Sequence, residues 1–432
     1  MTAGDFLVEQ DLVLRPDPSR VVLRPFKPAT EPRGLNPTDR TRADKIVQRI
    51  QALDVAAAQA DLDDIMAGFG HRHRDVLAAF DARADEMEPA FSPHPPFTEV
   101  QRRLVGAYFL HEYSFEAAAL FNPSMVAHPD QSGLEPEALR FVMSLRAVGE
   151  GHVSSLTFRS GVVTADGRVR IDRAGRGTLE ARLQRRTTGP GGDTVKVAFP
   201  PDVDLGERVI FPVTMPQMNG IEDARFVLFE DEGERAYYAT YTAYSGKAIR
   251  SELLRTEDFL TFTLSPLQGS ATHNKGMALF PRKLGGRYAM IGRQDNENLF
   301  LIYSDDLHVW NDGTVIVEPR YPWEFVQLGN SGAPIEIDQG WLVLTHGVGP
   351  VRRYTIGAVL LDRDDPSKVL ARSRVPLIEP QEGEREGYVP NVVYTCGALV
   401  HSGRLVLPYA VADSFTRVAT IGLDALLASL DG

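Results

Sequence analysis

The run GIEDARF places two carboxylates, Glu222 and Asp223, beside the guanidinium of Arg225. Adjacent carboxyls are the raw material of general acid–base chemistry, because negative charge near one of them favours its protonated form. Taken alone, Asp223 is as readily a strand-end aspartate that bonds local backbone amides. Its company argues otherwise. FNPSMVAHPD carries Asn122 and Ser124, and SLRAVGEGHVSSLTFR carries Arg146, His152 and Arg159. THNKGMALFPR adds His273, Asn274, Lys275 and Arg282, GRQDNENL adds Arg293, and THGVG adds His346. Glu336 lies in NSGAPIE, while EREGYVPNVVY holds Glu384, Glu386, Tyr388 and Asn391, and YAVADS holds Asp413. Amides, guanidinium groups and carboxylates are the side chains that pair with vicinal hydroxyls.

Those clusters need a scaffold that gathers distant segments. From Phe121 onward five stretches share one plan, beginning near LRFVMSLRAV, RFVLFEDEGERAYYATYTAY, MALFPRKLGGRYAMIGRQ, APIEIDQGWLVLTHGV and ALVHSGRLVLPYAV. Each has an apolar strand, a tight Gly- or Asp-rich turn and a second strand rich in Tyr, Trp, Val and Leu. Repeats of several strands each point to a β-propeller, whose loops converge on one central pocket. The fold class expected is all-β, a five-bladed β-propeller with an N-terminal α-helical extension; a pair of β-sandwiches is the alternative. Residues 1–37 read as an extended arm. Ile46, Ile50, Leu53 and Val55, then Leu62, Ile65 and Met66, follow helical spacing. Gly68 and Gly70 divide that stretch into two helices, and a third runs from about Thr98 to Ala119. The expected domains are thus 1–112, arm and helices, and 113–432, the catalytic propeller.

The ordered motifs FNPS, GIEDARF, NK followed by ALFP, HGV, EGYVPNVVY and the closing Asp413 resemble glycoside hydrolase family 130, the mannoside phosphorylases and mannosidases, over roughly Phe121 to Leu430. The resemblance implies a five-bladed propeller and inverting cleavage of non-reducing-end β-linked mannose, with β-1,2 the linkage expected for hydrolases. It makes Asp223 the proton donor, acting by relay through a sugar hydroxyl. Asn122, Arg146 and Asp413 become sugar ligands, in a pocket that also draws on Ser124, His152, Arg159, Arg225, Tyr388 and Asn391.

The nucleophile decides between two reactions. A phosphorylase has to hold a phosphate dianion with convergent cations. The family's phosphorylases use an Arg-Asn-Lys run, a Lys at a strand start and the His of HGV. This chain keeps Asn274, Lys275 and His346, but His273 stands where Arg is expected and Glu336 where Lys is expected. Each unit-charge pair at about 4 Å is worth roughly 4 kcal/mol at an effective dielectric near 20. Glu336 would therefore weaken a dianion site while supplying a base for water, with Glu384 and Glu386 as the other base candidates. Hydrolysis is the expectation, although Arg293 and the other arginines near the motifs keep phosphorolysis open. A non-catalytic sugar-binding propeller is the third reading.

The formal net charge of −12 argues against nucleic acid or an anionic membrane surface as partner. No stretch approaches the roughly 20 apolar residues of a membrane span. The first residues lack the basic start and apolar run of a secretory signal, and a single cysteine, Cys396, fits a reducing compartment, so a cytoplasmic location is expected. Cys396 sits in an apolar strand run and reads as a small hydrophobe. HRHR, from His71 to Arg74, reads as a solvated helical face rather than a metal site. The expected metal and cofactor are none, with inorganic phosphate as co-substrate for a phosphorylase. The expected partner is a small oligosaccharide, and the helical region makes a homo-oligomer plausible.

Overall fold

A computed structural model describes residues 7–30, 40–90, 96–175 and 177–431. Most of its regular structure is β, and the chain divides into two compact units. The smaller comprises Pro18–Phe115 with Gly175–Leu179, and the larger takes the rest.

In the smaller unit four helices pack together: α1 (Arg42–Gln51), α2 (Val55–Phe69), α3 (Val76–Met87) and α4 (Glu99–Tyr108). Each starts at a side-chain cap. Thr41 and Thr98 form capping boxes with Asp44 and Gln101, while Asp54 and Asp75 accept from the amides of Ala57 and Ala78. Val47, Ile50, Leu62, Phe80, Leu104 and Phe109 form the buried seam. Two details differ from the sequence reading. The helical stretch before residue 88 holds three helices, because Asp54 caps a new one. The last helix stops at Tyr108, because Leu110–Ser114 pairs with Val21–Pro25 as a hairpin-like ribbon.

The larger unit is a succession of antiparallel strand groups. All five stretches singled out in the sequence contain hairpins, for example Leu139–Val148 with Ser154–Val163 and Gly340–Gly349 with Arg353–Leu361. Their apolar faces make extensive cores, in which Trp341 is fully buried with its indole N–H bonded to the Arg363 carbonyl at 3.0 Å. The N-terminal stretch belongs here too. Leu7–Leu14 pairs antiparallel with Phe415–Gly422, so it is a sheet strand rather than part of an arm, and the compact units divide the chain differently from 1–112 and 113–432. Cys396 is buried, and no helix among the described residues is long and apolar enough to cross a membrane.

Two bulges interrupt these ladders. The register slips between Phe121 and Ser124 in Ala119–Ala127, and again between Glu222 and Arg225 in Gly220–Asp231. A bulge turns a side chain out of the alternating pattern, and Asn122 (φ 49°) and Asp223 (φ 54°) are the residues so turned.

Tight turns carry their own constraint. Gly340 has φ 143°, and a Cβ there would stand 2.2 Å from the Leu361 carbonyl oxygen. Gly340→Ala is expected to lose about 2 kcal/mol or more in urea unfolding, because both backbone strain and a backbone clash oppose it.

Candidate active site

The two bulges bring Asn122 and Asp223 together. Asn122 donates its amide to the Asp223 carboxylate at 2.7 Å, and Arg146, from the neighbouring strand Leu139–Val148, reaches the same oxygen at 3.3 Å. The other arm of Arg146 pairs with Glu222 at 2.8 Å, and its Nε donates to the Ser154 hydroxyl at 2.9 Å. Arg225 supports the bulge from below: it donates to the Asp223 carbonyl, the Ser331 carbonyl and the Tyr394 hydroxyl at 2.9, 3.0 and 2.9 Å.

These groups open on a cavity of about 120 Å³ lined by Arg146, Asp223, Lys275, Arg293, His346, Arg352, Tyr354, Val392, Tyr394 and Asp413. Arg293 is buried, donating to the Lys275 carbonyl at 3.1 Å and lying 3.2 Å from Nε2 of His346. Since Arg293 can only donate, Nε2 is the acceptor there. Among the described residues no carboxylate forms an ion pair with Lys275, Arg293 or Arg352, whereas Arg146 has two. The Asn122 side-chain oxygen is buried without a protein partner, an acceptor free for a ligand hydroxyl.

Charge fixes the protonation states. Burial pushes the Asp223 carboxyl up, but Arg146, Lys275, Arg225 and the Asn122 amide outweigh it and hold it well below the ordinary range. Glu222 is raised instead, by burial and the Asp223 charge against Arg146. The expectation that its neighbour raises Asp223 is therefore reversed by the surrounding cations. Asp413, on the turn after Arg404–Val411, is pushed up to about 6 by burial and by Asp223, against Arg146 and Arg352. Burial, Arg293 and Arg225 drive His346 well below its usual value, so it is neutral.

The remaining expected residues fall elsewhere. Ser124 is taken up by the Phe226 amide at 3.0 Å, and Arg159 is buried against Glu116 at 3.2 Å, so both hold strands together rather than face the cavity. Asn274 fixes the loop of Lys275, accepting from its amide and donating to the Arg293 carbonyl. His273 is exposed at the end of a short 3-10 turn. His152 and Tyr388 form an exposed pair, with the Tyr388 hydroxyl 3.3 Å from His152 Nδ1. Asn391 contributes its carbonyl to the Tyr354 amide.

None of the three candidate bases lines the cavity. Glu336 is held by Arg282 and Arg363 at 2.8 and 3.0 Å, because alternation along Ile335–Ile337 turns the isoleucines toward the core and Glu336 away from it. Glu384 pairs with Arg417 at 2.7 Å, and Glu386 is exposed. Sequence reasoning missed Arg352, Tyr354, Val392 and Tyr394 as lining residues. Tyr394 closes the run EGYVPNVVY, and Arg352 stands six positions after His346 on the same hairpin. Among the described residues no group of three or more His, Cys, Asp or Glu is placed to hold a metal ion.

Comparison with known proteins decides the family. The model of glycoside hydrolase family 130, described as beta-1,4-mannooligosaccharide phosphorylase, matches residues 203–431. The chain belongs to glycoside hydrolase family 130. A 1,2-beta-oligomannan phosphorylase from Thermoanaerobacter sp. is 34% identical over 222 residues, which cover 50% of this chain and 73% of that one. A beta-1,2-mannobiose phosphorylase from Listeria innocua is 32% identical over 232 residues, 51% and 63% of the two chains. Among solved structures, a putative glycoside hydrolase from Bacteroides ovatus superposes with a TM-score of 0.52 at 20% identity, covering 74% of this chain and 91% of that one, and so shares the fold. The protein is thus an enzyme of family 130.

Glu336→Gln is expected to leave turnover of a β-mannoside within about twofold and to cost at most ~1 kcal/mol in thermal unfolding, as exposed ion pairs do. A rate loss of about a hundredfold would return Glu336 to the chemistry.

Proposed function

We propose that the protein is an inverting β-mannoside phosphorylase, cleaving non-reducing-end β-1,2-linked mannose with inorganic phosphate to give α-mannose 1-phosphate. The observation that carries this reading is the pair Lys275 and Arg293, two cations in the cavity wall without carboxylate partners among the described residues. Cations in a cavity wall that form no direct ion pair leave donors for an anionic ligand to accept from. The Thermoanaerobacter and Listeria relatives, phosphorylases of β-1,2-mannosides, support the same choice. Hydrolysis loses its main argument, since Glu336 is committed to Arg282 and Arg363. The strand groups, with Leu7–Leu14 completing the sheet of Phe415–Gly422, are read as a five-bladed propeller whose first strand joins a sheet formed near the end of the chain.

The chemistry follows from the site. Asn122, Arg146 and Asp413 bind hydroxyls of the mannose ring. A phosphate oxygen held by Lys275 and Arg293 attacks the anomeric carbon, the carbon–oxygen bond on the opposite face breaks, and the leaving oxygen takes a proton from Asp223 through a sugar hydroxyl. The surrounding cations hold the resting Asp223 carboxyl below the ordinary range, and a bound dianion offsets part of that charge and moves the carboxyl toward its protonated form. Neutral His346 keeps the Arg293 guanidinium in place through Nε2.

Two measurements test this. Incubating β-1,2-mannobiose with and without phosphate is expected to give mannose 1-phosphate only in the first tube; free mannose at equal rates in both would make the enzyme a hydrolase. The second is the pH dependence of the mannoside KM at saturating phosphate. Asp413 accepts from the sugar as a carboxylate and protonates as pH falls through about 6. The KM is expected to rise below that pH, and Asp413→Asn should bind more weakly throughout and lack this limb.

A further inference from the structure

The turn between Gly340–Gly349 and Arg353–Leu361 is strained in an unusual way. Val351 (φ 57°) and Arg352 (φ 53°) are consecutive left-handed residues, and Val351 is 89% exposed. Left-handed backbone is a genuine outlier for a β-branched residue, and an exposed side chain gains little packing to offset it. A second turn in the chain has the same form. Gly149 (φ −109°, ψ −159°) and Gly349 (φ −108°, ψ −160°) open equivalent 3-10 turns that end at His152 and Arg352. In the first, Gly151 supplies the positive φ, whereas in the second a valine is forced into it. Both turns deliver a basic side chain onto a tyrosine: His152 lies 5.7 Å from the Tyr388 ring and Arg352 5.7 Å from the Tyr354 ring.

Of the two, Arg352 reaches the cavity, beside Lys275, Arg293 and His346. It differs from Lys275 and Arg293 in position: it is exposed, whereas Arg293 is buried and Lys275 partly so. Its guanidinium face lies over Tyr354, while its N–H edge has no carboxylate ion-pair partner among the described residues. A planar fork of donors matches phosphate oxygens better than any neutral sugar requires. The charge of the whole chain, −12, also repels an incoming dianion, so capture depends on local positive potential at the entrance.

We propose that Arg352, held by this strained turn, is the residue that captures the phosphate co-substrate and delivers it to Lys275 and Arg293. The inference rests on the phosphorylase reading and goes beyond it, because it assigns the phosphate affinity to an exposed arm outside the sugar-binding groups. Arg352 makes contact with the phosphate and takes no part in proton transfer.

The test is steady-state kinetics of wild type, Arg352→Ala and Arg352→Lys, with phosphate and β-1,2-mannobiose varied separately. Arg352→Ala is expected to raise the KM for phosphate about tenfold or more, as loss of a charged hydrogen bond does, with the mannobiose KM little changed at a pH well above that at which Asp413 protonates. Arg352→Lys should recover part of the loss. In the reverse direction the KM for mannose 1-phosphate should rise in parallel. Raising ionic strength should weaken phosphate binding to wild type more than to Arg352→Ala. An unchanged phosphate KM in Arg352→Ala, with wild type still phosphate-dependent, overturns the assignment, as does a rise confined to the mannobiose KM. Wild type that releases mannose without phosphate would instead sink the phosphorylase reading itself. Matching melting temperatures of the three proteins separate these outcomes from loss of fold, since Arg352 is exposed.

Discussion

Everything at this site depends on one partly buried guanidinium. Arg146 bridges Glu222 and Asp223, two neighbouring carboxylates that would repel each other if both were ionised away from water. It stacks 5.0 Å over the Phe121 ring and is pinned by Ser154, so its charge is fixed in direction as well as position. The result is an asymmetry between adjacent residues of like chemistry. Asp223, with Arg146, Lys275, Arg225 and the Asn122 amide around it, is held ionised, while Glu222 is pushed toward its protonated form.

The backbone accepts strain to make that arrangement. Of thirteen non-glycine residues with positive φ among the described residues, eight (Asn122, Asp223, Asn296, Val351, Arg352, Asn391, Ala412 and Asp413) line the cavity, bond to a lining residue or sit next to one. Such conformations persist only where surrounding structure over-determines them. Here the surroundings are ladders of long antiparallel strands with fully buried cores, which fix the ends of each bulge and turn. The concentration of strain at one cavity is an argument for function there that does not depend on likeness to known enzymes.

The same strain explains which features were legible in the sequence. Strand and turn spacing exposed the hairpins, because period-two alternation and Gly-rich turns are local properties. The ordered motifs pointed to Asn122, Arg146, Asp223, Lys275, Arg293, His346 and Asp413, all of which meet at or beside the cavity. Motifs could not say which of their polar members face inward. Ser124 follows Asn122 by two positions, and without the bulge both would share a face; the slip in register sends one to the cavity and the other to the Phe226 amide. Glu336 shows the opposite failure, since it obeys simple alternation and is thereby turned to Arg282. Asp54 was legible as a helix cap in principle, but a run of apolar residues on both sides masked the break it causes.

The ionised resting state of Asp223 bears on the choice of nucleophile. An acid held below the ordinary range is a poor proton donor without a bound anion, and water alone does nothing to change the charges that hold it there. A phosphate dianion held by Lys275 and Arg293, as proposed, offsets part of the charge that Lys275, with Arg146 and Arg225, places on Asp223. On the phosphorolytic reading the co-substrate therefore brings both the nucleophile and the condition under which Asp223 can donate. On that reading the cations without direct ion pairs couple the acid to its nucleophile.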